Sequence, residues 1–172
     1  MEEIYIPQER SKMLRQKPGM LKRLGELCNC KISLEEPNCI RIEGDGYGEF
    51  TARGVIQAYG RGFGMRIAEL LLKDGYYFSS ISMRDITGNK NRIRNMKSRL
   101  IGSDGKAKRY MESVSGAMIA VYGDTVSFIG SSEAIEEAEA AARTIMKGSS
   151  HRLDVHGHRM LFRNCNVHFG NA

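Results

Sequence analysis

The spacing of apolar and polar positions predicts six secondary-structure elements in the second half of the chain. Apolar residues recur at helical spacing in one stretch, at Ile93, Met96, Leu100 and Ile101. Gly123-Asp124 is typical of a tight turn between two strands, and Ser131 or Ser132 can cap a helix that stops at Gly148. The predicted elements are a strand over 76–84, helices over 89–101 and 106–114, strands over 118–122 and 125–129, and a helix over 131–148.

The first half of the chain repeats this pattern. Leu14 aligns with Leu100 and Gly19 with Gly105, and the apolar runs Ile40–Ile42 and Val126–Phe128 keep the same offset. The predicted elements there are a strand over 4–6, a helix over 8–15, a second helix after Pro18, a closing helix over 50–59 and an additional helix over 65–72. We therefore predict an α+β protein made of two copies of one unit.

Positive charge is concentrated in one short stretch. The net charge is +6, and the stretch 90–109 holds eight basic residues and a single acidic one, Asp104. Solvated helix faces usually mix both signs, so a one-sign cluster of this density indicates a polyanionic ligand, of which nucleic acid is the commonest. The basic residues are Lys90, Arg92, Arg94, Lys97, Arg99, Lys106, Lys108 and Arg109.

Composition excludes several classes of protein. With 41% hydrophobic and 27% charged residues the chain is too apolar to be disordered. Its longest apolar run falls far short of the ~20 residues that a membrane helix needs, and its acidic start lacks the pattern of a signal peptide. The four cysteines are too few and too irregularly spaced for a disulfide scaffold. We expect a cytoplasmic protein that makes no membrane contact and requires no cofactor.

The junction between the two helices of the second unit is Gly102-Ser103-Asp104-Gly105. Glycine at both ends lets the backbone bend and approach a ligand without an intervening Cβ. The helix that follows begins with N–H groups that have no partner within the helix, and these suit a phosphate. Leu100 and Ile101, with Ile119 opposite, are expected to form a shallow groove for unstacked bases. The first unit has Gln16-Lys17-Pro18-Gly19 at this place, with glutamine where the first glycine would stand.

This order of elements, with G-x-x-G at the helix junction, resembles the type I KH domain, which clamps about four nucleotides of single-stranded RNA. The resemblance implies two tandem KH domains: 1–75 with a degenerate loop and an extra C-terminal helix, 76–150 with the G-x-x-G loop, and a C-terminal extension over 151–172. The RNA-binding residues it implies are Arg94, Lys97, Arg99, Leu100, Ile101, Gly102, Ser103, Asp104, Gly105, Lys106, Lys108, Arg109 and Ile119. Weaker contacts are expected from Lys17, Gly19, Lys22 and Arg23.

Two further stretches narrow the resemblance. Ala58-Tyr59-Gly60-Arg61-Gly62-Phe63 joins the units, and the stretch 94–102 reads R-N-M-K-S-R-L-I-G. Both are similar to the archaeal twin-KH proteins of ribosomal RNA processing, the counterparts of the eukaryotic partner of the small-subunit maturation endonuclease. The resemblance implies binding to pre-rRNA near the 3′ end of the small-subunit RNA, with a PIN-domain endonuclease as partner. It also implies a link to the alpha subunit of initiation factor two.

Other functions stay open at this point. A nuclease would need clustered carboxylates for metal ions, whereas the acidic residues here are dispersed, so we predict no catalytic residue. A metal site is not predicted in the tail, because the spacing of His151, His156, His158, Cys165 and His168 matches no zinc finger. An RNA-binding KH subunit of an RNA-degrading or translation-initiation complex is the alternative.

Overall fold

The computed structural model describes residues 1–148 and the backbone of two short paired strands, β7 (Leu153–Val155) and β8 (His158–Met160). Within residues 1–148 the predicted repeat is confirmed, because each half has the order strand, helix, helix, strand, strand, helix. The histidine- and cysteine-containing tail lies outside the residues whose side chains are described. No helix of the described residues is both long and apolar enough to cross a bilayer.

The first unit is a three-stranded antiparallel sheet, in the order β1-β3-β2, with helices packed on one face. The additional helix predicted over 65–72 is confirmed in position, but only its first turn is α-helical and Glu69–Leu72 is a 3-10 turn. The bounds are β1 Glu2–Tyr5, α1 Gln8–Arg15, α2 Gly19–Cys28, β2 Cys30–Glu35, β3 Cys39–Gly44, α3 Gly46–Gly60 and α4 Met65–Ala68.

The second unit has the same topology, with strand order β4-β6-β5. The predicted strand over 76–84 ends earlier, at Ser82, because Met83–Asp85 turns into a 3-10 helix. The bounds are β4 Tyr77–Ser82, α5 Lys90–Ile101, α6 Lys106–Ser115, β5 Met118–Tyr122, β6 Thr125–Gly130 and α7 Ser132–Lys147.

Local capping explains where several helices start and stop. The side chains of Asp45, Asn89 and Ser131 accept hydrogen bonds from backbone N–H groups in the first turns of α3, α5 and α7. Such caps satisfy donors that have no acceptor within the helix. At the other end, Gly116 and Gly148 adopt the left-handed conformation that glycine takes without a Cβ penalty, and they end α6 and α7.

The sheet of the second unit is covered on both faces. Alternate residues of a strand point to opposite faces, and Ile81, Val126 and Phe128 face α5, α6 and α7. The other face, which includes Ile129 and Ala120, packs into the core of the first unit. All six residues of β6 are therefore buried.

The segment that joins the units also contacts the second sheet, where Arg61 Nη1 donates to the Thr125 hydroxyl at 3.3 Å. The Arg10 side chain lies over the Tyr59 ring, 4.0 Å from its centroid, and donates hydrogen bonds to the carbonyl oxygens of Tyr59 and Phe63. Across the interface, the Tyr122 hydroxyl donates to the Glu9 carboxylate at 3.1 Å. Burial and this hydrogen bond raise the pKa of Tyr122. The two units thus share a hydrophobic core with a polar rim, and the helical face of the second sheet has a separate core of its own.

Candidate nucleic-acid interface

The junction between α5 and α6 is a turn that only small or flexible residues can make. Gly102, Asp104 and Gly105 have φ values of +71°, +53° and +75°. A Cβ added at Gly102 would lie 2.7 Å from the Ala107 Cβ, whereas at Gly105 it would meet nothing closer than the Arg109 guanidinium at 3.8 Å. Gly102 is therefore required for packing and conformation, and Gly105 only for conformation. Ser103 and Asp104 lie exposed at the tip.

The predicted basic residues differ in whether a carboxylate pairs with them. Lys108 Nζ lies 2.8 Å from the Glu112 carboxylate, and Lys97 Nζ lies 3.7 Å from that of Asp124. Within the described residues, no carboxylate lies within ion-pair distance of the other six cations of the cluster: Lys90, Arg92, Arg94, Arg99, Lys106 and Arg109. Unpaired surface cations can neutralise phosphates without first losing a partner, so Lys106 and Arg109 carry the strongest phosphate-binding potential beside the loop.

Lys97 belongs to a cluster that holds the β5–β6 turn. Arg84 Nε lies 2.8 Å from Asp124 Oδ2, and Lys97 approaches the other carboxylate oxygen. The hydrogen bond from Arg84, together with the charge of Lys97, lowers the pKa of Asp124. Lys97 is thus engaged in the structure of the unit, which separates it from the other basic residues of α5.

A groove of about 400 Å³ runs beside the loop, and we call it the second-unit groove. Ile101, Lys108 and Glu112 line its helical side, β5 forms its floor, and residues 62–64 and Ile67, from the segment that joins the two units, complete its lining. The backbone N–H of Ile119 donates to Glu112 Oε1 at 2.9 Å, so it points away from β6. Because orientation repeats every second residue in an antiparallel ladder, the backbone polar groups of Val121 also face the open edge and can read a base.

The structure corrects one residue of the predicted groove. Leu100 is 0% exposed and packs in the core of the second unit, so the prediction that it forms a groove wall is wrong. Ile119 is 2% exposed and contributes only to the floor of the groove. Ile101, the other helical residue predicted to line the groove, does line it and is 38% exposed. Successive residues of a helix point in directions about 100° apart, which is why Leu100 and Ile101 separate.

A second cavity, of about 570 Å³, is lined by the C-terminal part of α5 and the first residues of the loop. Of the predicted residues it includes Arg99, Gly102 and Ser103. It also includes Asn95 and Ser98, which are not among the predicted RNA-binding residues. Asn95, Ser98, Arg99 and Gly102 follow one another at intervals that place residues on one face of a helix, so the sequence could have indicated that they share a face.

The corresponding junction of the first unit has a different backbone. Gln16 and Pro18 are right-handed helical, and Gly19 has no positive φ. Lys17, Gly19, Lys22 and Arg23 are exposed, but Arg23 lies 3.0 Å from the Glu69 carboxylate. The adjoining cavity, about 810 Å³, includes the apolar residues Leu14, Leu21, Ile32 and Leu34, and cations and carboxylates of Arg15, Lys22, Glu26, Lys31 and Glu43.

Metal-binding chemistry finds no support in the part of the chain that the structure describes. No group of three or more His, Cys, Asp or Glu side chains converges there. Cys28 and Cys30 are near each other, but burial raises the pKa of both thiols, that of Cys30 to about 11.

Comparison with known proteins identifies the family. The KH domain-containing protein MJ0443 of Methanocaldococcus jannaschii is 34% identical over 157 residues, which cover 88% of this chain and 69% of that protein. The chain belongs to this KH-domain family. Residues 77–158 of this KH protein also match the family of the second KH domain of PNO1, described as a eukaryotic type KH-domain, KH-domain type I. KH domains form an RNA-binding family that is generally non-enzymatic.

Solved structures agree with the fold of this KH protein. Dim2p from Pyrococcus horikoshii superposes with a TM-score of 0.79 at 31% identity, over 87% of this chain and 92% of that one. The a/eIF2alpha–aDim2p–rRNA complex from the same organism matches with a TM-score of 0.77 at 30% identity, over 91% and 87% of the two chains. A protein from Aeropyrum pernix, at 21% identity and a TM-score of 0.79, shares the fold over 86% of this chain and 82% of its own.

Proposed function

We propose that this protein binds single-stranded RNA of the small ribosomal subunit precursor, near its 3′ end, as a non-enzymatic factor of ribosome biogenesis. In this proposal both units are KH domains, the first at 1–75 and the second at 76–150. The second unit is the principal RNA clamp. The observation that carries the proposal is the left-handed turn at 102–105, which joins the unpaired cations Lys106 and Arg109 to the second-unit groove.

The chemistry of the clamp follows from this arrangement. The N–H groups of the first turn of α6 have no side-chain cap and point toward the loop, where a phosphate can accept from them. Lys106 and Arg109 add charge, and Arg94 and Arg99 extend the positive surface along α5. Bases enter the groove beside Ile101 and above Ile119, where Lys108 is neutralised by Glu112. Lys97 contributes through long-range charge rather than direct contact.

Two kinds of protein partner are included in the proposal. By family resemblance, the protein acts as an adaptor for the PIN-domain endonuclease that trims the 3′ end of the small-subunit RNA. A second role, in a complex with the alpha subunit of initiation factor two, is favoured because the aDim2p relative is found with a/eIF2alpha and rRNA. Neither role requires a catalytic residue in this chain.

RNA binding is tested by its salt dependence. With about three or four phosphates neutralised, log K against log[salt] is expected to slope near −2 to −3, since a single strand contributes about 0.7 per phosphate. Lys106→Gln is expected to reduce the magnitude of the slope by about 0.7. Lys73→Gln, an exposed lysine of the first unit remote from the loop in sequence, is the control and leaves the slope unchanged. A flat salt dependence of the unmodified protein contradicts the proposal.

The adaptor role is tested by reconstitution. The purified protein alone, with Mg²⁺ or Mn²⁺, is expected to leave a small-subunit 3′ precursor RNA intact, and to change the rate or site of cleavage when the PIN-domain endonuclease is added. Cleavage by the protein alone that disappears with Asp104→Asn would show instead that it is a nuclease. Asparagine tolerates the positive φ at this position, so that variant keeps the turn.

A further inference from the structure

The second-unit groove has one wall that does not come from the second unit. Residues 62–64 and Ile67, which follow α3 of the first unit, line the same cavity as Ile101. Among them Ile67 is 37% exposed, almost the same as the 38% of Ile101. Two branched apolar side chains, one from each unit, are thus presented to the same groove.

The position of Ile67 is fixed by its surroundings. Its neighbours Met65 and Ala68 are buried in the shared core, and its own N–H donates to the Gly64 carbonyl at 3.0 Å. Phe63 is also buried, and its carbonyl accepts a hydrogen bond from Arg10. Ile67 is therefore held in place before any ligand arrives, so a contact with it requires little further ordering.

The segment is also seated directly on the strand that forms the floor. Gly62 has φ +105°, and a Cβ there would lie 2.7 Å from the Cβ of Tyr122. Tyr122 is the last residue of β5 and lines the same cavity. The contact sets the distance between the joining segment and the floor of the groove.

The charges of the groove favour a base over a phosphate. Lys108, the cation that lines it, is 2.8 Å from Glu112, which also lines it, so the interior is close to neutral. The unpaired cations Lys106 and Arg109 lie at the loop end instead. A neutral, apolar slot between two isoleucines suits the flat face of a nucleobase, whereas a phosphate would stay at the loop.

We propose that the RNA site is composite: Ile67 of the first unit packs against a base held in the groove of the second unit, opposite Ile101. This rests on the proposed RNA-binding function and deepens it. The first unit then contributes to RNA recognition through its joining segment, independently of its own degenerate loop.

The test compares three isoleucine-to-alanine variants of the full chain. The probe is a 12-nucleotide single-stranded RNA with the 3′-end sequence of archaeal small-subunit rRNA, with oligouridine of equal length alongside. Ile67→Ala is expected to weaken binding about threefold to tenfold, because truncation removes apolar area from the contact. The slope against salt stays unchanged because no charge is altered. Ile86→Ala is the matched control, since Ile86 is 39% exposed in the second unit and does not line the groove.

The outcomes separate the two proposals. If Ile101→Ala weakens binding and Ile67→Ala does not, the composite site is wrong and the groove belongs to the second unit alone. If neither Ile101→Ala nor Lys106→Gln has an effect, the proposed RNA-binding function itself fails. Thermal unfolding of each variant checks that the fold is kept. As an independent readout, 4-thiouridine in the probe is expected to crosslink to the segment 62–67, and crosslinks confined to 101–121 would contradict the inference.

Discussion

The two helix–helix junctions of this protein occupy equivalent places in a repeated unit, yet their backbones differ. In the second unit, three residues of Gly102–Gly105 have positive φ, and the turn presents its exposed tip beside unpaired cations. In the first unit, Gln16, Lys17, Pro18 and Gly19 include no positive φ, and α2 starts directly after Pro18. The same fold is therefore compatible with either junction, so the fold by itself does not require the left-handed turn.

The grooves beside the junctions differ as well. In the first unit α2 packs close to β2, so that a Cβ on Gly25 would lie 2.5 Å from the carbonyl oxygen of Cys30. In the second unit the Glu112 side chain lies between α6 and β5, where it bonds Ile119 N–H and Lys108. The close α2–β2 approach is local to Gly25, and the cavity beside it, about 810 Å³, is larger than the second-unit groove of about 400 Å³.

The largest difference is expected when one acidic side chain is placed at the equivalent position of each junction. Ser103→Asp puts a second carboxylate next to Asp104, where a phosphate must approach, and is expected to weaken RNA binding by about 3 kcal/mol or more, roughly a hundredfold in Kd. Lys17→Asp changes the charge by more but is expected to weaken binding by less than about tenfold, since at most one contact is lost. Titration of both folded variants at fixed salt measures this. An equal loss in the two would show that the first junction also clamps RNA.

Glycine-to-alanine substitutions are expected to have opposite signs at the two junctions. Gly102→Ala is expected to lower the free energy of unfolding by roughly 2–4 kcal/mol, because the Cβ would press on Ala107 and the φ is unfavourable. Gly19 has an ordinary φ at the start of α2, and a Cβ there would meet nothing within 4 Å. Gly19→Ala is therefore expected to raise the free energy of unfolding by about 0.4–1 kcal/mol. Denaturant unfolding compares them; a neutral Gly102→Ala would contradict the close packing at this turn.

Restoring the motif in the first unit tests whether the loop alone makes a clamp. The double substitution Q16G/P18D introduces G-x-x-G there. We expect less than about a threefold gain in RNA affinity, well below 1 kcal/mol, since the cavity beside it is lined by the carboxylates of Glu26 and Glu43, which disfavour a polyanion. Binding curves with the same RNA measure the gain. A tenfold gain would show that the junction, and not the groove, sets the difference between the units.

The smallest effect on stability is expected at the turns between the second and third strands of each unit. Asn38 in the β2–β3 turn and Asp124 in the β5–β6 turn occupy equivalent positions in the repeat. Asn38 donates to the Ile6 carbonyl and cannot titrate, whereas Arg84 and Lys97 lower the pKa of Asp124. A carboxylate with a lowered pKa stabilises the fold above its unfolded pKa of about 4, and this contribution is lost as the pH falls further. Unfolding free energies measured from about pH 5 to pH 2 are expected to fall slightly less steeply for Asp124→Asn than for the unmodified protein. Identical slopes would show that the turn does not depend on the ion pair.

The element order and the α+β class could be predicted from the sequence because they follow from the spacing of apolar residues and from the Gly, Pro and Ser residues at which helices and strands begin or end. Residue roles within an apolar run could not, since Leu100 and Ile101 are adjacent and equally apolar, and tertiary packing decides which one is buried. Lys97 looked like any other cation of its helix, because its partner Asp124 lies in a distant turn. The contribution of residues 62–67 was missed for a similar reason: the sequence does not show which segment lies across the groove.

The second sheet, with apolar side chains on both faces, has a consequence for how the chain holds together. Phe78, Met118 and Ile129 would lie open to water if the second unit were cut from the first. Tandem domains on a flexible tether fold and move as separate modules, but here the second sheet completes the core of the first unit and is itself covered by that unit. The chain is therefore expected to unfold in a single cooperative transition, and its two halves cannot be exchanged or shortened as independent parts.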